Sequence, residues 1–224
     1  MGKQTSTVHT IHFQDSAMVV SKSPFVLPPK RENVMMHQQV IQMVMESHPT
    51  IPLSFGNVFM SEGDVVIVLK KLYEQIHKLV PQFENKIEMG LKIFGKPEWF
   101  EKEIEADRPL AKMKKMMDNI PSEAAYYERI RVGEMANQFF FRLQQQVIKD
   151  IFEPLSAVAE SSKLNEPIGD RAILNAAFLL DKEHESLFDV KVFELNEHWQ
   201  DKMEFKYSGP WPVYSFVNIR LTVK

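Results

Sequence analysis

The run Ala172–Leu180, AILNAAFLL, is apolar at every position but one. It is far shorter than the roughly 20 residues that cross a bilayer. A short apolar run between polar turns reads instead as a strand covered on both faces, placed centrally in a sheet. Asn165–Asp170 precedes it as a turn, and a helix begins at Asp181 and runs to about Gln200. In that helix Leu187, Phe188, Phe193, Leu195 and Trp199 are the apolar members. A chain with such a strand must supply helices to cover it. At 224 residues, with 44% hydrophobic and 25% charged side chains, this one has the material for one large or two small packed domains.

Upstream, Thr7–Phe13 and Ala17–Ser21 read as short strands, the second built on the apolar run Ala17-Met18-Val19-Val20. Pro24, Pro28 and Pro29 mark a connection. A helix is expected from about Arg31 to Ser47, with Val34, His37, Ile41, Val44 and Met45 at helical spacing. Ile51–Phe59 reads as β-like, interrupted by Gly56-Asn57. Ser61 is a good helix cap, with Asp64 three residues on. The following helix, Glu62–Leu79, carries Val65, Val66, Leu69, Leu72, Tyr73 and Ile76 on one face. Ile87–Phe94 alternates Ile87, Met89, Leu91 and Ile93 with Glu88, Gly90 and Lys92, the pattern of a strand with one buried and one solvated face. Glu98–Ile104 is a short helix. Asp107–Pro121, with Lys112, Lys114, Lys115 and two prolines, reads as a linker open to proteolysis.

The longest helical stretch is Ser122–Ser161. Ser122 is placed as its cap, and Ile130, Phe140, Leu143, Val147, Ile151, Leu155 and Val158 form its apolar stripe. Pro154 is expected to kink or split it, because proline lacks the N–H and collides with the preceding turn. Met203–Tyr207 and Val213–Val223 read as strands, joined by the stiff turn Gly209-Pro210-Trp211-Pro212. The fold class is therefore α+β. Residues 1–110 form an N-terminal α+β domain, and residues 122–224 form a C-terminal ferredoxin-like domain with a long helix.

Little in the chain points to chemistry. There is no cysteine, which removes disulfides, thiolate metal sites and thiol nucleophiles. His9 and His12 fall on opposite faces of a strand, and His184 and His198 are separated by about 21 Å of helix. No metal site is implied. The eight scattered glycines form no phosphate-cradling loop. The acids of Glu101–Glu105 and Asp181–Glu185 sit in charged stretches that read as wet helix faces. No catalytic residue and no cofactor is assigned. A net charge of −3 offers no basic stripe for nucleic acid. Met1–Phe13 has no apolar signal region, and no membrane insertion is expected.

Two segments rise above this background. One is Pro52-Leu53-Ser54-Phe55-Gly56-Asn57-Val58-Phe59. The other is Tyr207-Ser208-Gly209-Pro210-Trp211-Pro212-Val213-Tyr214-Ser215-Phe216-Val217. In the second, Gly209 permits an unusual backbone angle, and Trp211, Tyr214 and Phe216 form a dense aromatic group. Two readings stay open: a stiff turn whose aromatics fill a core, or a group partly turned outward toward a partner. In an extended strand Tyr214, Phe216 and Asn218 would share one face, and Val213, Ser215, Val217 and Ile219 the core face. On that reading Trp211 plugs the end of the domain and Tyr214 is the contact residue.

These two segments carry a resemblance. The run Gly209–Val217 closely resembles the C-terminal signature of the gas vesicle GvpL/GvpF family, and Ile51–Phe59 is similar to that family's Pro-Leu-x-Phe-Gly segment. Asn175–Asp181 resembles the family's apolar strand before its last helix. The likeness spans about Asp15 to Val217. Val213 replaces a second proline common in the family, and Ser54 replaces a common arginine. Family members open with a strand ahead of Thr7–Phe13, so the first sheet is expected to have an unpaired edge.

The resemblance implies an accessory or minor structural protein of gas vesicles, located in the cytoplasm and at the vesicle. It would bind the hydrophobic shell protein and other accessory proteins during assembly, without catalysis. Trp211, Tyr214 and Phe216 are the candidate partner-binding residues. The competing reading is an enzyme on a ferredoxin-like scaffold with an unrecognised site, since such folds host many activities.

Overall fold

The structure is a computed structural model that describes residues 6–23, 27–117, 126–169 and 171–219. The expected cap Ser122, Pro24, Pro121 and the far end of the last expected strand, 220–223, lie outside the described residues. The described residues fall into two compact units. One comprises those of Met1–Ile87 with Trp211–Lys224, the other those of Glu88–Pro210. This division differs from the boundary between residues 110 and 122 that the charges and prolines suggest.

In the first unit, β1 (Val8–Phe13) and β2 (Ser16–Ser21) form an antiparallel hairpin pairing Val8 with Ser21 and Phe13 with Ser16. The turn between them places Gln14 at φ +53. Helix α1 is Arg31–Met45 and α2 is Glu62–Phe83. As its sequence suggests, Ser61 caps α2: its Oγ accepts the Asp64 N–H at 3.2 Å and donates to Asp64 Oδ2 at 2.9 Å. Helix α2 runs beyond Leu79 to Phe83 although Pro81 lies inside it and removes one helical hydrogen bond. The hairpin packs on α2 through Ile11, Val65 and Leu69, with Phe13, Met18, Val20, Phe59, Val66 and Ile76 around them. Phe13 meets the edge of the Tyr73 ring with centroids 5.6 Å apart.

The β-like reading of Ile51–Phe59 is corrected: the segment is a loop with a turn at Phe55-Gly56. The groups that would build a ladder are taken locally. Pro52 has no N–H, His37 of α1 reaches the Leu53 carbonyl at 2.8 Å, and the Asn57 amide donates to the Ser54 carbonyl at 2.7 Å. Gly56 sits at φ +97 in the turn.

The second unit holds β3 (Lys86–Gly95), which begins at the unit boundary, then α3 (Pro97–Ala106), α4 (Arg108–Met117) and α5 (Tyr126–Val147). After these come α6 (Glu153–Ser156), β4 (Ser161–Asn165), β5 (Ala172–Asp181), α7 (Glu185–Trp199) and β6 (Met203–Trp211). The sheet order is β4-β5-β3-β6. With α5 between β3 and β4 and α7 between β5 and β6, this is the ferredoxin-like β-α-β-β-α-β arrangement. The first strand of that motif is β3, which the sequence reading placed in the N-terminal domain. As expected, β5 is internal: Ile173, Leu174 and Ala176 to Leu180 are all buried.

An internal position also changes β3. Its four alternating apolar residues are buried, but Glu88 on the expected solvated face is buried too, and only Lys92 is exposed. The linker reading of Asp107–Pro121 is corrected in its described part. Pro109 falls in the first turn of α4, where proline is tolerated. Asp107 Oδ1 accepts the Leu110 N–H at 3.1 Å, and Leu110 and Met113 are buried. The break expected at Pro154 takes the form of one wide turn, Ile148–Phe152, in which the Glu153 N–H reaches back to the Ile148 carbonyl. Widening the turn moves the carbonyl ladder away from the proline ring. The edge strand β4 is not among the expected strands: only its end residues touch the expected helix, at Ser161, and the expected turn, at Asn165; it pairs Ser161 with Leu179 and Asn165 with Asn175.

Candidate functional site

The C-terminal aromatic segment starts on β6. Strand β6 continues through Gly209 and Pro210 to Trp211, so the stiff turn expected there is instead the end of a sheet strand. Gly209 makes this possible. It takes φ +136, and a Cβ at that position would lie 2.7 Å from Met89 Sδ and 3.0 Å from the Glu88 carbonyl oxygen. Only glycine combines that backbone angle with that closeness to β3.

Beyond Trp211 the chain turns. The Tyr214 N–H donates to the Pro212 carbonyl at 2.7 Å, and the Phe216 and Val217 N–H groups both reach the Val213 carbonyl at 3.1 Å. The strand expected from Val213 is therefore absent among the described residues. Pro212 offers no N–H, and the Val213 carbonyl is consumed inside the turn. Strand alternation consequently does not govern this segment. Val213 is buried, as expected of a core residue, while Trp211, Tyr214, Ser215, Phe216 and Val217 are all half-buried. Trp211, Tyr214 and Phe216 each take part in an interaction. Trp211, Tyr214 and Phe216 are alike in burial, so exposure does not separate a plugging Trp211 from a contacting Tyr214.

His9, His12, His37 and His77 have structural partners. His9 faces Glu62 at 3.3 Å, His77 faces Asp15 at 3.7 Å, and His12 bonds the Thr10 hydroxyl at 2.8 Å. His37 lies edge-on to Phe55, with centroids 5.7 Å apart, and pins the Leu53 loop to α1. Among the described residues, no group of three or more His, Cys, Asp or Glu side chains could hold a metal ion. None of their helices is long and apolar enough to cross a membrane. An open depression of about 530 Å³ is lined by Asp107, Arg108, Leu110, Met135, Gln138 and Arg142, among others. Its Asp107 is already committed, capping α4 and pairing with Arg142 of α5.

One phenol is strongly perturbed. Burial, then the 2.6 Å hydrogen bond that Tyr207 donates to Asp189, then the negative charge of Asp189 and Glu185, push Tyr207 above the ordinary tyrosine range. This favours the neutral phenol and fastens β6 to α7. It supplies no acid or base near neutral pH.

Helix α7 departs from its reading. Phe188, Val192 and Trp199 are buried, but Leu187 and Phe193 are each 63% exposed and Val190 is 56% exposed. Three apolar side chains thus lie on its outer face among exposed residues such as Glu194 and Glu197. The sequence shows only that apolar residues occur all round the helix rather than along one stripe; it does not show which of them are left uncovered.

Comparison with known proteins is uniform. The family model described as gas vesicle synthesis protein GvpL/GvpF matches residues 1–218. Gas vesicle protein F1 of Halobacterium salinarum is 23% identical, over 96% of this chain and 83% of its own length. Gas vesicle protein F of a Nostoc species is 26% identical, over 84% of this chain and 78% of its own length. The crystal structure of GvpF from Microcystis aeruginosa superposes with a TM-score of 0.80 at 23% identity, over 95% of this chain and 89% of that one. At that identity the structural likeness concerns the fold.

Proposed function

The chain belongs to the gas vesicle synthesis protein GvpL/GvpF family, and from that membership we propose that it binds the hydrophobic shell protein and other accessory proteins while gas vesicles assemble. Its accessory role in gas vesicles follows from the family and from relatives named gas vesicle proteins F and L. The finer reading has a physical rationale. A shell subunit with a large apolar face associates indiscriminately unless another surface covers it. The site of action is then the cytoplasm and the vesicle itself, and the work is binding rather than catalysis.

The observation that carries the reading is the match of the family model to residues 1–218. The half-buried group Trp211, Tyr214 and Phe216 is the proposed contact, since partly exposed aromatics are frequent anchors of interfaces. Tyr214→Ala should reduce capture of the purified shell protein in a pull-down while leaving the melting curve close to that of the parent. Normal capture by a folded Tyr214→Ala protein, or a Tyr214→Ala protein that no longer folds, removes Tyr214 from the contact. No capture of the shell protein by the parent chain removes the binding role itself.

A further inference from the structure

The outer strands of this protein are not equally guarded. In the four-stranded sheet, edge strand β4 has Lys163 at its centre, and edge strand β6 carries Glu204, Lys206 and Pro210. Charges and prolines are the usual means by which an edge resists pairing with another chain. Strand β2 has neither. Its sequence is Ser-Ala-Met-Val-Val-Ser, and among the described residues no strand pairs with it on the side away from β1. Met18 and Val20 lie opposite Ile11 and His9 on the side packed on α2. Ala17 and Val19 lie opposite His12 and Thr10 on the other face, where Ala17 is exposed.

We propose that the outer edge of β2 is a self-association surface, on which β2 of a second copy pairs antiparallel. Charge selects this occupant and this direction. The strand is bracketed by Asp15 and Lys22. Asp15 already faces His77 of α2 at 3.7 Å, with 64% of its side chain still exposed; antiparallel pairing brings the Asp15 end of each copy to the Lys22 end of the other, whereas parallel pairing sets like charge against like. Nothing charged lies between, so no repulsion opposes the approach. A two-fold axis perpendicular to the sheet keeps Met18 and Val20 of both copies on the α2 side. The product is one continuous sheet of strand order β1-β2-β2-β1. Four strands are a common sheet size, and α2 already supports the hairpin on one face. A six-residue edge buries well under the roughly 1,600 Å² of a stable interface. The dimer is therefore weak and forms with rising concentration. This proposal is independent of the assembly role.

Sedimentation equilibrium of the full chain, from low micromolar to several hundred micromolar, tests it. The wild type should rise from monomer mass toward dimer mass. Val19→Lys, which places a charge on the strand without touching the α2 side, should remain monomeric with an unchanged melting curve. Should Val19→Lys fail to fold, Ala17→Lys, at an exposed position, serves in its place. Carbodiimide coupling in an equal mixture of unlabelled and ¹⁵N-labelled chains should yield mixed-isotope amides joining Asp15 to Lys22. A wild type monomeric throughout overturns the proposal. So does a folded lysine variant that associates as the wild type does, or a dimer whose mixed-isotope links all lie elsewhere.

Discussion

At Gly209 two constraints meet that no other side chain satisfies together. The backbone angle of φ +136 is unfavourable for residues with a Cβ, and the space is already filled by Met89 and the Glu88 carbonyl. Gly209→Ala should therefore destabilise the protein by about 1–3 kcal/mol, read as a lowered urea midpoint. Tyr207 is the other residue whose environment has a measurable consequence. Its phenol is held neutral by burial and by Asp189, so its folded pKa lies above its unfolded value of about 10. A group raised in this way contributes stability that is whole below the unfolded pKa and is lost as pH climbs from there toward the folded value. Urea melts taken from neutral to strongly alkaline pH should show stability falling above about pH 10. In Tyr207→Phe that alkaline fall should be shallower; an identical slope would show that the phenol is not protected.

Helix α7 shows how a single element can divide its apolar residues. Phe188 touches Phe178 of β5, with centroids 5.1 Å apart, and both are buried. Phe193, one turn and a half further on, is largely exposed. Phe188→Ala should cost about 3–5 kcal/mol, whereas Phe193→Ala should stay within about 0.5 kcal/mol, both by chemical denaturation. Comparable losses would mean that the outer face of α7 is covered. Elements with strong local signals matched their reading: the hairpin strands, α1, the Ser61 cap of α2, and the apolar run of β5. Elements whose outcome hangs on neighbours did not. β4, with Lys163 and three other polar residues in its five, has no strand pattern of its own and exists through pairing with β5. Asp107–Met117 looked like a linker because its lysines are many, yet two buried residues and a side-chain cap suffice to make it a helix.

For the whole molecule, the decisive element is β3. It sits between β5 and β6 although α3, α4 and α5 separate it in sequence from β4 and β5. A fragment of residues 122–224 would lack this strand and leave edges of β5 and β6 bare. It should aggregate or show no cooperative melting by circular dichroism. A fragment of residues 86–211 keeps the four strands and should melt cooperatively. If the shorter fragment folds as well as the longer one, β3 is dispensable and the boundary near residue 110 stands.

The α+β class, the central apolar strand, the ferredoxin-like second half and the family were all legible in the chain itself. They rest on local periodicity and on the long motif around Trp211, information carried by neighbouring residues. The membership of β3, the burial of Glu88, the turn after Pro212 and the exposed face of α7 were decided in three dimensions. Each depends on which distant segment occupies a given side of an element. Alternation in β3 records that one face is apolar, but not that strands flank it on both sides. An aromatic such as Phe193 reads the same in sequence whether or not anything lies over it.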